Sequence, residues 1–279
     1  MRELLGVLDA FRSRITEGTY PLGSTLPPQR ELAEEFEVSR DTVQRALREL
    51  RSDGWIESRQ GSGSRVIRAS RSTGSSRCTA RGRALSLGEF IGRAFEQPEV
   101  TLDVFTFTAE SLDLHLRLQA ERIRGGLMAP ERIALRVLLP SEEVSLPYPR
   151  ARDDPDDPRL QWRLREIKGR HLASLRHALR DLRAEALVPF VSLEVRHTLL
   201  TPVFKLYLLS GTEALFAPYE VVQRQVCLDD GNEIEAIDVL GLGAPLTFHI
   251  SDGDPDSEGS AFVASMQSWF DSVWNLLSK

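Results

Sequence analysis

The chain is poor in the residues that announce enzymes, membranes and secretion. Of 279 residues only two are cysteine, Cys78 and Cys227. Two distant thiols make neither a disulfide framework nor a cysteine metal cluster, which suits a reducing compartment. Only three lysines occur, Lys168, Lys205 and Lys279; arginine carries the remaining positive charge, a bias of GC-rich coding rather than of mechanism. No apolar run approaches the 18 residues a spanning helix needs. Arg2 and Glu3 precede Leu4 without a long apolar core or cleavage site, so no secretory signal is expected. The chain shows no nucleophile elbow and no phosphate-binding glycine loop, so no catalytic residue, cofactor or metal ligand is assigned. A cytoplasmic protein without membrane contact is the expectation.

What is present is divided by sign. The net charge is −6. Residues 1–83 hold 15 arginines against 11 acids, a net of +4, which leaves −10 for the remainder. A positive first part fits contact with phosphate, and a negative remainder does not.

The first part is the most informative. Leu4, Leu5, Leu8, Phe11 and Ile15 recur at helical spacing and predict a helix over about 2–16. Gly18, Pro21 and Gly23 break it. Pro27 and Pro28 open a second helix, over about 29–36, because proline in a first turn loses no hydrogen bond. Glu37 and Val38 turn the chain, and Ser39 caps a third helix over about 40–51. Val43, Ala46, Leu47 and Leu50 form its buried stripe. Arg40, Asp41, Gln44, Arg45 and Arg48 are left on the free face. Asp53-Gly54 ends it. A strand from Trp55 and one returning through Arg65, Val66 and Ile67 then flank the tip Ser58-Arg59-Gln60-Gly61-Ser62-Gly63-Ser64. Two short helices, a tight turn and a glycine-tipped hairpin make a winged helix-turn-helix. Such a third helix enters the major groove N-terminus first, where Arg40, Asp41 and Gln44 meet base edges. Ser39 and Thr42 suit phosphate, and Arg59 or Gln60 can reach the minor groove. The plainer alternative is a solvated face carrying an Asp41–Arg45 pair.

The pattern resembles the GntR family of bacterial transcription factors. The matching residues are Gly18, Tyr20, Gly23, Leu26-Pro27, Arg30-Glu31-Leu32-Ala33, Val38-Ser39-Arg40, Thr42-Val43, Arg45-Ala46-Leu47, Leu50, Gly54 and Arg59-Gln60-Gly61-Ser62-Gly63. The resemblance covers about a quarter of the chain. It implies a homodimer on double-stranded operator DNA, with contacts at Arg30, Ser39, Arg40, Thr42, the position of Gln44, and the wing around Gln60-Gly61. Asp41, Arg45, Arg59 and Gly63 complete the candidate set. Where the family often has arginine, this chain has Gln44, so no operator sequence transfers.

Residues 69–83 are small, polar and basic, with no apolar period, and predict a flexible linker between a domain at 1–68 and another at 84–279. In the latter, helices are expected over 85–95, 109–125, 160–185 and 260–277. Leu112, Leu116, Leu118 and Ile123 are among the apolar positions of the second. Strands are expected over 100–107, 132–139, 191–196, 203–209, 214–218, 221–227, 234–239 and 246–250. Strand, helix, strand at the start suggests a parallel unit. The whole reads as an α/β domain with a mixed sheet. Phe262, Met266, Trp269, Phe270, Val273, Trp274 and Leu277 form a stripe on the last helix, read as core or dimer seam.

Several effector folds accompany such DNA-binding domains. The all-helical kind does not fit a tail so rich in strands, and His171 and His177, six apart, share no helix face. The aminotransferase-like kind needs a longer tail; a chorismate-lyase-like domain stays open. A second resemblance is to the phospholipase-D-like fold, through Val203-Phe204-Lys205-Leu-Tyr-Leu-Leu-Ser210-Gly211. Its histidine and aspartate positions hold Val203 and Ser210, so the resemblance implies a sensor without catalysis, because phosphohistidine chemistry cannot run on valine. Thr108, Glu110 and Ser111, after the first strand, are candidate ligand residues together with Lys205. The expected function is a transcription regulator, in the simplest case a repressor, whose second domain senses a small-molecule effector or dimerises. A DNA-tethered phosphodiesterase-like enzyme and a partner-binding regulator without ligand are the alternatives.

Overall fold

A computed structural model describes residues 7–8, 10–11, 14–15, 19–21, 23–36, 38–52, 55–59, 63–66, 86–228, 231–239 and 246–279, with backbone alone at 41, 45, 48–49, 51–52, 57–59 and 63. The expected linker lies outside the described residues. The chain divides into two compact units, Met1–Arg77 and Cys78–Lys279.

The first unit packs helices on a small hairpin. Val7, Leu8, Phe11 and Ile15 are helical and at most 6 % exposed. Helix α1 (Gln29–Glu35) follows Pro27-Pro28 and buries Leu32. Helix α2 (Arg40–Ser52) buries Val43, Ala46, Leu47 and Leu50 at the spacing of one helical face. Each of the valine and leucine side chains contributes about 1.5–3 kcal/mol on burial. Strands β1 (Ile56–Arg59) and β2 (Gly63–Val66) pair antiparallel with Ile56 opposite Val66 and Arg59 opposite Gly63. A short stretch before α1 adds to this hairpin. Gly23 N donates to Val66 O at 2.7 Å and Leu26 N to Ser64 O at 2.7 Å. Gly23 has φ +82°, a backbone angle that disfavours a side chain. The entry to α1 is thereby tied to the hairpin.

The second unit is a six-stranded mixed sheet between helical layers. In chain order it contains α3 (Leu87–Phe95), β3 (Glu99–Phe105), α4 (Glu110–Arg124), β4 (Arg132–Pro140), β5 (Arg150–Ala151), α5 (Arg159–Ala184), β6 (Phe190–Thr198), β7 (Phe204–Leu209), β8 (Glu213–Pro218), β9 (Val221–Cys227), β10 (Glu233–Val239), β11 (Thr247–Ile250) and α6 (Glu258–Leu276). The large sheet runs β11-β8-β7-β3-β4-β6. Strands β3, β4 and β6 are parallel, and β7, β8 and β11 join them antiparallel. The strand–helix–strand start is therefore a parallel unit, as its spacing predicts.

The alternation along β3 and β4 builds two cores. Leu102, Val104, Ile133, Leu135, Val137 and Leu139 join α3, α4 and α5 in one cluster. Phe105 and Leu138 join α6, through Val263, Phe270, Val273 and Trp274, in the other. Central strands covered on both faces carry the near-continuous apolar runs seen here. The aromatic stripe of α6 is thus largely core, although Leu276 and Leu277 are exposed. The approach of α6 to the sheet needs a glycine: a Cβ on Gly259 would stand 2.3 Å from the Ile250 carbonyl oxygen.

Three features depart from the sequence expectation. Strands β9 and β10 lie outside the mixed sheet, in a separate three-stranded antiparallel sheet in which β10 pairs with β9 on one side and β5 on the other. This small sheet closes over Leu160 at the start of α5 through Ala151, Val226 and Ala236. Strand β5, two residues long, carries no periodicity to detect. Leu118, expected on the apolar side of α4, is 53 % exposed, because Leu112, Leu116, Ala120 and Ile123 define that face.

Candidate nucleic-acid interface

The geometry of α2 follows from its start. Ser39 Oγ accepts from Thr42 N at 3.1 Å and lies 2.9 Å from Thr42 Oγ1. This satisfies one of the helix's open N–H groups and sets where its first turn points. Arg40 and Gln44, one turn apart, are exposed on the side opposite the buried stripe. Arg30, beside the start of α1, is exposed and pairs with Glu34 at 3.2 Å across one turn. Such a pair is weak in water and yields readily to a phosphate.

The scaffold behind these residues is fixed by one charged contact. Glu35, in the last turn of α1, meets Arg14 Nη1 at 2.5 Å and accepts from Tyr20 OH at 2.8 Å. Burial and the Glu35 carboxylate push the Tyr20 phenol up to about 12, so it remains a donor at neutral pH. Arg14 also lies 4.3 Å over the Phe36 ring. The end of α1, and with it the turn into α2, is held from two sides.

Arg30, Ser39, Arg40, Thr42 and Gln44 therefore all belong to the α1–α2 pair, and the Ser39 side chain bonds to Thr42. Asp41 and Arg45 lie on α2 and Arg59 and Gly63 at the facing ends of β1 and β2. Gln60 and Gly61 fall outside the described residues. Arg65, which spacing read only as a returning strand residue, donates from Nε to Gly23 O at 2.8 Å and so is tied into the fold.

The candidate ligand residues of the second unit are more scattered. Thr108 and Ser111 are half-buried at the start of α4, and the Thr108 carbonyl accepts from Thr106 Oγ1 at 2.9 Å. Glu110 Oε1 lies 3.7 Å from His171 Nε2. Lys205 is 4 % exposed, next to Leu206, which pairs with Phe105 at the end of β3. Lys205 is near the start of β7 and Ser210 just past its end, about 17 Å away at ordinary strand rise. Ser210 and Gly211 have φ of 51° and 66°, and Thr212 N closes on Leu209 O at 3.0 Å. Tight hairpin geometry accounts for these two residues without any chemistry. Val203 is exposed, and its carbonyl accepts from Tyr219 N at 2.9 Å.

Polar clusters that spacing did not reveal lie nearby. Asp113, 1 % exposed, meets His171 Nδ1 at 2.8 Å between α4 and α5. Phe107 N donates to Tyr219 OH at 2.9 Å, and Tyr219 is 3.1 Å from Thr106 Oγ1. Lys168 Nζ donates to Pro140 O at 2.7 Å, and burial pulls its ammonium below the usual lysine range. Each joins residues distant in sequence, so no local motif signals it.

Residues 5–66 match the family model described as "Bacterial regulatory proteins, gntR family". The first unit carries a GntR-family helix-turn-helix domain. The uncharacterised HTH-type transcriptional regulator YdfD of Bacillus subtilis (strain 168) is 44 % identical over 61 residues, 22 % of this chain and 13 % of that protein. The HTH-type transcriptional repressor PhnF of Mycolicibacterium smegmatis is 47 % identical over 53 residues, 19 % of this chain and 21 % of that protein. A solved GntR-family transcriptional regulator from Listeria monocytogenes is 33 % identical, with a TM-score of 0.22, over 23 % of this chain and 55 % of that one. The similarity thus spans a small part of each curated relative's length, the size of the DNA-binding domain. No helix among the described residues is long and apolar enough to cross a membrane.

Proposed function

We propose that this protein is a cytoplasmic transcription regulator that binds double-stranded operator DNA as a homodimer. The observation that carries the reading is α2. Its apolar side is sealed into the core, while its other side presents Arg40 and Gln44 to solvent behind the Ser39 cap. Arginine pairs with guanine through two donors and glutamine with adenine through a donor and an acceptor. Ser39 and Thr42 supply hydroxyls at the same end for phosphate, and Arg30 supplies charge from α1. Asp41 and Arg45 on α2, and Arg59, Gln60, Gly61 and Gly63 on the wing, complete the proposed contact surface. The net of +4 on residues 1–83 supports it. Occupancy of an operator makes the simplest mode repression, the role in one relative's name.

The second unit, joined through a linker at 69–83, acts in this reading as the dimerising and effector-sensing part rather than as an enzyme. An effector changes DNA binding only if it prefers one dimer geometry over another. Thr108, Glu110 and Ser111, between the end of β3 and the first turn of α4, and Lys205 on β7 are the proposed place for it.

Arg40→Ala tests the groove assignment. Affinity for a footprinted operator falls by about 1–3 kcal/mol, and base preference relaxes at the position Arg40 reads. A gel-shift titration with unchanged affinity and unchanged selectivity overturns it.

A further inference from the structure

The two edges of the six-stranded sheet differ. Strand β11 is four residues long, and its final carbonyl, at Ile250, is covered by the first turn of α6. Strand β6 is nine residues long and pairs with β4 in unbroken register from Phe190 opposite Arg132 to Thr198 opposite Pro140. It contains no proline, glycine or lysine and no bulge, features that commonly blunt an edge.

The direction of each backbone group on β6 is fixed. Phe190 N donates to Glu131 O, and Ser141 N donates to Thr198 O, so the even-numbered residues face β4. Successive residues alternate sides in a parallel ladder. Val191, Leu193, Val195 and His197 therefore point their N–H and C=O groups outward. His197 already uses its pair: it exchanges hydrogen bonds of 2.9 and 3.0 Å with Lys279, at the antiparallel bridge between Thr198 and Ser278. The edge accepts an antiparallel strand, and Lys279 fills its last position. Among the described residues, Val191, Leu193 and Val195 have no strand beside them on this outer side.

We infer that these three residues form the seam of a two-fold dimer in which β6 of one copy pairs antiparallel with β6 of another. One register engages Val191, Leu193 and Val195 of both copies together. Centring the axis on Ser192 sets Val195 opposite Pro189, which has no N–H. Centring it on Glu194 sets the two Glu194 carboxylates face to face and calls on the occupied His197. Centring it on Leu193 pairs Leu193 with itself and Val191 with Val195, for about six backbone hydrogen bonds. On the face bearing the charges, Glu194 then lies opposite Ser192. Arg196 lies opposite Phe190, a side chain 66 % exposed in the single copy. No like charges oppose each other along this seam. The partner is a second copy of this chain, and the two sheets become one continuous sheet. The inference deepens the proposed dimeric regulator and rests on that reading for its expectation of a dimer, but the strand itself supplies the geometry.

Ser192 is exposed, so its replacement leaves the fold intact while probing the register. Sedimentation of the full chain without DNA gives a wild-type dimer at micromolar concentration. Ser192→Glu sets carboxylates against Glu194 at two symmetric places and raises the dissociation constant about tenfold. Ser192→Arg creates two opposite-charge pairs and lowers it. Leu193→Pro removes the donors at the axis and yields monomers, with circular dichroism confirming that the chain is folded. A monomeric wild type at all concentrations, or a dimer indifferent to both Ser192 substitutions, overturns the inference. Footprinting by the same samples separates that failure from failure of the DNA-binding reading.

Discussion

The two units of this protein treat polar side chains in opposite ways. Among the described residues of the first, the buried side chains are apolar or aromatic, and the arginines and glutamine lie outside. The second buries Asp103, Asp113, Lys168, Lys205 and Asp238 as well. A small domain with one core gains nothing by burying charge, because each buried charge must be paired to recover its lost hydration. Arg30, Arg40 and Gln44 stay at its surface, and its polar joint, Arg14 and Tyr20 on Glu35, is only partly buried. The larger unit has a sheet with two covered faces, and its polar residues serve as joints between layers. Surface chemistry in the first unit thus points toward function, whereas buried chemistry in the second mostly reports how the layers dock.

The strongest way to break this contrast is to remove a joint. Asp103 is 6 % exposed on β3 and accepts from Arg136 Nε at 2.7 Å and Nη2 at 2.5 Å. Gln267 of α6 donates to it at 2.9 Å, and Arg136 also reaches Asp271 of α6 at 2.9 Å. Asp103 and the other acceptors hold the Arg136 guanidinium charged well above its ordinary range. Asp103→Ala leaves Arg136 with one acidic partner beneath α6. The expected loss is about 3 kcal/mol, the lower end for a broken buried pair, because Arg136 is partly solvated. Urea unfolding followed by the fluorescence of Trp269 and Trp274 on α6 measures it. A loss below about 1 kcal/mol would mean that the joint is ornamental.

The same contrast explains what sequence could and could not reveal. Ser39, Arg40 and Gln44 are legible because the helix that presents them is local, and a spacing of three or four residues suffices to place them on one face. The strand limits of β9, Val221–Cys227, are legible from alternation alone. Its membership of a separate sheet is not, since that sheet is built on β10, whose other partner, β5, lies some 85 positions away in the chain. Asp113 and His171 sit on different helices, and nothing in either helix marks the other as a partner. Leu118 was misplaced because leucine supplies helix propensity as readily as core, and only the packed face decides. Local order was therefore readable in both units. The part of the site that depends on tertiary contact was readable only where one element carries it.

A smaller test sharpens the first unit's side of the comparison. Ser39→Ala removes the acceptor of Thr42 N at 3.1 Å. Loss of a serine cap costs about 1 kcal/mol. The cost falls on the helix that presents Arg40, so DNA affinity drops with stability, while the fluorescence transition of α6 in the second unit stays put. Ser39→Asp restores an acceptor and adds a favourable charge at the helix start, so it recovers stability. It places that charge near phosphate, however, so it does not recover DNA affinity. Thermal unfolding and gel shift on the same three proteins separate the cap from the contact.

The smallest expected effect is a pH dependence confined to one unit. All five histidines, His115, His171, His177, His197 and His249, belong to the second. His249 stacks on Phe262 with ring centres 3.7 Å apart, and burial lowers its imidazole below the ordinary 6.5. His197 is lowered as well, by burial and by the nearby Lys168. A histidine that resists protonation only when folded leaves stability unchanged above pH 6.5. As pH falls through 6.5 the unfolded chain takes up the proton first, and the folded state loses ground until its own lowered value is passed. The melting temperature of the second unit should therefore fall between about pH 7 and pH 5, and His249→Gln should flatten part of that fall. The first unit contains no histidine, so its melting and its affinity for DNA should hold across the same interval. A first-unit transition that moves with the second would show that the two are coupled in stability, and the separation between a surface that reads and an interior that docks would no longer hold.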